Sequence, residues 1–171
     1  MYMPEYVVLV DENDTPLWTM EKFKAHQNGG QLHRAFSILV FNSKGELLIQ
    51  QRASTKYHNP WKWANTACSH PRAGESYLDG AHRRLQEEMG FDCPLEEKFH
   101  FIYKDDFDNG LTERELDRVF VGFYDGDIAS NPEEVADVRR IDTNELQREM
   151  KKEPKKFTER FKIIMRDFTQ F

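Results

Sequence analysis

The stretch over residues 35–51 constrains the fold most. An apolar run at 35–41 leads into Asn42, Ser43, Lys44 and Gly45, and a second apolar run follows at 46–51, which is the pattern of a β-hairpin. Such a pair is expected in the middle of a sheet, and a sheet needs a cover. The cover is legible further on. Ser76 followed by Asp79 forms a capping box, Gly90 supplies the stop, and Leu78, Ala81, Leu85 and Met89 share one stripe at 100° per residue. Tyr77, Arg84 and Glu88 fall along one flank of that stripe, with Glu87 opposite.

Other segments fit the same plan. Residues 6–10 read as a first strand, ended by Asp11, Asn13 and Asp14. Thr19 is expected to cap a helix through Ala25, and the polar run at 27–31, bracketed by His26 and His33, breaks it. Residues 52–63 read as an ordered loop, and residues 99–104 and 113–124 as two longer strands. Two helices close the chain. They are expected at 142–152 and 154–168, the second started by Pro154 and carrying Phe157, Phe161, Ile164 and Phe168 on one side. The class is therefore α/β in the broad sense, more strictly α+β, with a mixed β-sheet flanked by helices. A length of 171 residues fits a single domain, 1–171.

Charge narrows the partners. Lys plus Arg number 24 against 30 Asp plus Glu, so 24 − 30 = −6, which argues against a general affinity for nucleic acid or an anionic membrane. Two cysteines are too few for a disulfide scaffold, and the N-terminal residues lack a signal-peptide pattern, so a reducing, cytoplasmic setting is expected.

Two spacings carry chemistry. Cys68 and His70 lie two apart, so in extended chain both side chains leave on one face, although a lone cysteine is more often a small buried hydrophobe. Glu113 and Glu115 also lie two apart on an expected strand, followed on that face by Asp117. Alternating charges usually mark a solvated sheet face. Here the neighbouring carboxylates repel unless a positive charge lies between them, and a metal ion would supply it. Imidazoles of His26, His33 and His70 would complete a nitrogen and oxygen shell suited to Zn, Mn or Mg. His58, His82 and His100 have no partner pattern and read as surface residues. Arg52, Lys56, Lys22, Arg83 and Arg84 are candidates for holding phosphate oxygens, though each alone reads equally as a solvated surface charge.

Gly74-Glu75 through Gly90-Phe91, with Arg83 to Met89 between, resembles the Nudix box, the loop and helix that bind metal-diphosphate substrates. The resemblance implies a Nudix fold. Nudix hydrolases carry glutamates where Gly80 and Arg84 stand, and the latter helps hold the hydrolytic metals. Both losses are characteristic of the type 1 isopentenyl diphosphate isomerases, and the segments LHRAFS at 32–37, NTACSHP at 65–71, GES at 74–76 and EREL at 113–116 resemble that branch.

The resemblance implies roles. Cys68 and Glu115 match the catalytic pair on opposite sides of the substrate double bond, and Tyr103 matches the tyrosine that assists the glutamate. His26, His33, His70, Glu113 and Glu115 match a five-ligand site for one divalent metal, Mn, Zn or Mg. Glu88 matches the residue that holds a second ion, Mg, with the substrate diphosphate, and Lys22, Arg52, Lys56 and Arg84 match diphosphate contacts. The partner implied is a small allylic or homoallylic diphosphate, with no nucleic acid or membrane partner, and a monomer is expected. Trp63, with Trp61, is expected to wall or lid the pocket. A Nudix pyrophosphohydrolase and an inactive binding scaffold are the competing readings. One departure stands out: isomerases of this branch carry Thr-Pro-Trp-Phe where this chain reads Thr158-Glu159-Arg160-Phe161. Adjacent helix residues differ by 100° in direction, so Arg160 is expected to turn outward while Phe161 or a loop tryptophan faces the pocket.

Overall fold

Alternation along one central strand explains most of the architecture. The computed structural model describes residues 3–168. In chain order these form β1 (Tyr6–Val10), β2 (Pro16–Glu21), α1 (Lys22–Ala25), β3 (His33–Phe41), β4 (Leu47–Arg52), β5 (Trp63–Ala64), β6 (Ala67–Ser69), α2 (Tyr77–Met89), β7 (Leu95–Asp106), β8 (Thr112–Phe123), β9 (Val135–Ile141), α3 (Thr143–Lys152) and α4 (Glu159–Asp167). One edge of β3 pairs in parallel with β8, from His33 opposite Glu115 to Phe41 opposite Phe123. The other edge meets β1 at Leu9, then β6 at 67–69, then β4 at Leu47. The sheet grows outward through β2 on β1, β7 on β8, and β9 with β5 on β4.

Successive side chains on β3 and β8 leave on opposite faces. Phe36, Ile38, Val40 and Phe120 pack on Ala81, Leu85 and Met89 of α2. Leu39, Phe41, Val119 and Val121 point the other way and are covered by Leu146 and Met150 of α3 and Phe161, Ile164 and Met165 of α4. The mixed sheet is thus held between helices, as expected. Toward the start of β3 and β8 the second face turns polar, with His33, Ser37, Glu115 and Asp117 fully buried. A polar group is buried at a cost unless it is paired, so this end of the face holds the chemistry.

Several local expectations differ from the structure. Ser76 caps α2 through Asp79 N at 3.0 Å and Gly90 ends it in the left-handed conformation, but Leu78 is exposed, and Gly80 and Glu88 are buried instead. No helix starts at Thr19, because Thr19 and Met20 pair with Val8 and Val7, and strand pairing outweighs the capping preference. The hairpin turn forms, with Asn42 Oδ1 accepting from Lys44 N and Glu46 N, yet β3 and β4 part after Phe41 and Leu47 so that β4 can pair with β9. The final helix begins at Glu159, since Phe157 is extended and Thr158 caps the helix through Phe161 N. β9 was not expected at all. Among the described residues no helix is long and apolar enough to cross a membrane.

Candidate functional site

Two histidines are set by backbone carbonyls. His26, at the C-terminal end of α1, places Nδ1 2.6 Å from Lys22 O, and His33, at the start of β3, places Nδ1 2.7 Å from Gln31 O. Each Nδ1 therefore carries the proton, and each Nε2 is left with a lone pair. Both Nε2 atoms are buried without a hydrogen-bond partner. They face His70, just beyond β6, and Glu115, on β8. His70 Nε2 lies 3.0 Å and His33 Nε2 3.4 Å from Glu115 Oε1, and one ligand atom from each of His26, His33, His70 and Glu115 falls within 4.8 Å of the others. Burial keeps the His26 and His70 rings neutral: it lowers the His26 pKa, with His33 adding to the shift, and takes His70 to about 3 although Glu115 opposes it. Neutral imidazoles beside a carboxylate, with orphaned lone pairs aimed inward, fit a divalent metal ion.

Glu113 stands outside that group. Its Oε1 accepts from Arg160 Nη2 at 2.7 Å and its Oε2 lies 2.7 Å from Tyr103 Oη. The same Arg160 nitrogen is 2.6 Å from Glu115 Oε2, and Arg160 Nε donates to Tyr103 Oη at 2.8 Å and lies 3.4 Å from Asp117 Oδ2. The outward Arg160 expected from the sequence is therefore corrected: its side chain is buried, and three carboxylates hold it inward. His58 is corrected too. Its ring is stacked on Phe107, with Nε2 3.6 Å from Glu113 Oε1, and burial with Arg52 nearby lowers its pKa to about 2. Nothing in the spacing of residues 52–63 signals that position, because an irregular loop has no period.

The electrostatics separate the acidic groups. Burial pushes Glu113 up to about 7 although Arg160 pulls it down, and it pushes Asp117 to about 7 as well. Burial also opposes ionisation of Glu115, but Arg160 and the hydrogen bond to His70 outweigh it and hold that carboxyl well below its usual range. Cys68 sits on β6 opposite Ser37, across β3 from β8, and burial raises its thiol, with Arg160 acting against the rise. The free site thus holds a protonated thiol and an ionised carboxylate on either side of β3.

A single cleft is lined by Cys68, His70, Glu113 and Arg160 together with Lys22, Arg52, Lys56, Arg84 and Glu88, while Glu115 and Tyr103 are buried behind that lining. Of the five basic residues considered for phosphate, Lys22, Arg52, Lys56 and Arg84 meet there, whereas Arg83 is turned to Glu75 at 2.8 Å. Glu134, which the sequence did not signal, binds Lys56 at 3.0 Å and also Arg84, while Arg84 donates to Glu88 at 2.7 Å. Trp63 does not line this cleft, a correction to the expected wall: its ring lies under Arg139 at 4.8 Å in a neighbouring hollow with Phe157, because residue 63 pairs with Gln51 on β4. Trp61 is exposed.

The NUDIX domain family matches residues 31–161. The chain is 47% identical over 163 residues to isopentenyl-diphosphate Delta-isomerase 2 of Photorhabdus laumondii, covering 95% of this chain and 92% of that protein. It is 47% identical over 157 residues to isopentenyl-diphosphate Delta-isomerase of Pectobacterium atrosepticum, covering 92% and 87%. In shape it resembles the crystal structure of DR0079 from Deinococcus radiodurans, with a TM-score of 0.82 at 16% identity over 97% of this chain and 100% of that one. The MutT protein of Methanosarcina mazei also matches, with a TM-score of 0.65 at 18% identity over 80% and 92%. At such identities the two structures speak to fold alone.

Proposed function

Because this chain belongs to the Nudix family and, within it, to the isopentenyl-diphosphate Delta-isomerases, we propose that it converts isopentenyl diphosphate to dimethylallyl diphosphate. The observation that carries the reading is the cleft that joins Cys68 and the acidic cluster to four cations. The reaction adds a proton at C4 and removes one from C2, through a tertiary cation at C3 or a state close to it. Two acid/base groups on opposite faces are the minimum. Cys68, protonated in the free site, suits donation to C4, and Glu115, ionised, suits acceptance from C2, with Tyr103 Oη 2.9 Å from Glu115 Oε2 to orient it.

His26, His33, His70 and Glu115 are the residues that would hold a divalent ion. When bound, it supplies charge that keeps Glu115 ionised and the imidazoles ordered. Lys22, Arg52, Lys56 and Arg84 would grip the diphosphate, and Glu88 would share a Mg ion with it. Both Lys56 and Arg84 are already ordered by Glu134, which limits the ordering left for substrate to impose. A free Cys68 suits a reducing cytoplasm.

Hydrolysis is disfavoured by Arg84, whose guanidinium occupies the helix position that carries a metal-binding glutamate in the hydrolases. Incubation with isopentenyl diphosphate and Mg in heavy water separates the readings. Deuterated dimethylallyl diphosphate is the expected product. Inorganic phosphate would identify a hydrolase, and unchanged substrate a scaffold, and either result overturns the proposal.

A further inference from the structure

Arg160 changes what the histidines can share. It is the second residue of α4, and its Nη2 lies between Glu113 Oε1 and Glu115 Oε2, at 2.7 and 2.6 Å. Glu113 has its other oxygen 2.7 Å from Tyr103 Oη, and His58 lies 3.6 Å from the first. Both oxygens are thus engaged away from the three imidazoles. To enter a metal shell with them, Glu113 would have to leave a buried guanidinium, and a buried charge left unpaired is costly.

We infer that Arg160 is a positioning residue that holds Glu113 out of the metal shell, so that the ion in this chain has four protein donors, His26, His33, His70 and Glu115. The inference rests on the reading that this group binds a divalent ion. Three imidazoles and one carboxylate suit Zn2+ or Co2+ in a tetrahedral site, whereas Mg2+ prefers six oxygens and is expected to bind poorly there.

Co2+ is the probe, because its d–d absorption is several-fold stronger in tetrahedral than in five- or six-coordinate sites. The parent, Glu113→Gln, Arg160→Met and the double variant are titrated with Co2+, and Kd is measured by chelator competition. The parent is expected to give strong tetrahedral bands, and Glu113→Gln to keep both band intensity and Kd within threefold. Arg160→Met is expected to weaken the bands as Glu113 swings in, and the double variant to restore them. Should Arg160→Met not fold, Arg160→Gln, which removes the charge and keeps a polar side chain, takes its place with the same outcomes. Weak bands in the parent, or a change beyond threefold in Glu113→Gln, overturn the four-donor site. Bands indifferent to Arg160 overturn its positioning role. A parent that binds no Co2+ overturns the metal reading itself, an outcome distinct from the others.

Discussion

At the residue scale, the proposed site works by holding two groups in opposite protonation states on either side of β3. Burial raises the Cys68 thiol, while Arg160 and His70 keep Glu115 ionised against the same burial. In the proposed reaction each group serves one face of the substrate, with no substitute for it on that face. Cys68→Ala and Glu115→Gln are each expected to lower kcat by ~10²–10⁴, the usual worth of a positioned proton transfer, measured with isopentenyl diphosphate at saturation and with folding checked by circular dichroism. Turnover within tenfold of the parent in either variant would remove that residue from the catalytic role. Spacing marked Cys68 with His70 and Glu115 with Glu113 as candidates, because two-residue periodicity on a strand survives without knowledge of the fold, while their catalytic roles come only from the family resemblance. Arg160 was not. Its direction depends on where α4 begins, and Thr158, not Pro154, is the cap that sets this.

At the element scale, α2 shows why a glycine stands where Nudix hydrolases carry a glutamate. A Cβ on Gly80 would lie 2.9 Å from Phe36 Cε1 and 2.9 Å from Glu75 Oε2. Phe36 is fully buried, and Glu75 is clamped by Arg83 at 2.8 and 3.0 Å and by Arg72 N at 2.8 Å, so neither neighbour yields freely. Replacing glycine by alanine in a helix gains about 1 kcal/mol of propensity, whereas overpacking costs roughly 1–3 kcal/mol. Gly80→Ala is therefore expected to lower Tm by a few degrees, at ~2–4 °C per kcal/mol for a chain of this size. A variant melting at or above the parent would mean that the helix can lift from β3 without loss. The caps of α2 were readable because Ser76 and Gly90 act locally. By contrast, β2 and β9 are strands because of what they pair with, and the sequence near Thr19 or Val135 carries no record of a partner.

At the scale of the whole molecule, the candidate metal group ties together segments that are distant in sequence. His26 ends α1, His33 begins β3, His70 follows β6, and Glu115 lies on β8, brought beside His33 by parallel pairing across about eighty residues. That pairing was beyond the sequence reading, since periodicity reports which face a residue takes and not which strand lies next to it. An unfolded chain cannot present these donors together, so metal binding is coupled to folding. A ligand present at 100 times its Kd stabilises the native state by ~2.7 kcal/mol, provided the unfolded chain does not bind it. With ~2–4 °C per kcal/mol, protein stripped by chelator and then supplied with Zn2+ at that excess is expected to melt about 5–10 °C higher. Each further tenfold in metal adds ~1.4 kcal/mol, or about 3–6 °C, as long as binding to unfolded histidines stays negligible. His33→Ala removes a donor whose Nε2 has no hydrogen-bond partner, and its Tm should not rise over the same titration. The measurement is a thermal melt by circular dichroism across the metal series. A parent Tm independent of metal would mean that the four donors do not act as one site, whereas a rise that persists in His33→Ala would place the binding elsewhere in the molecule.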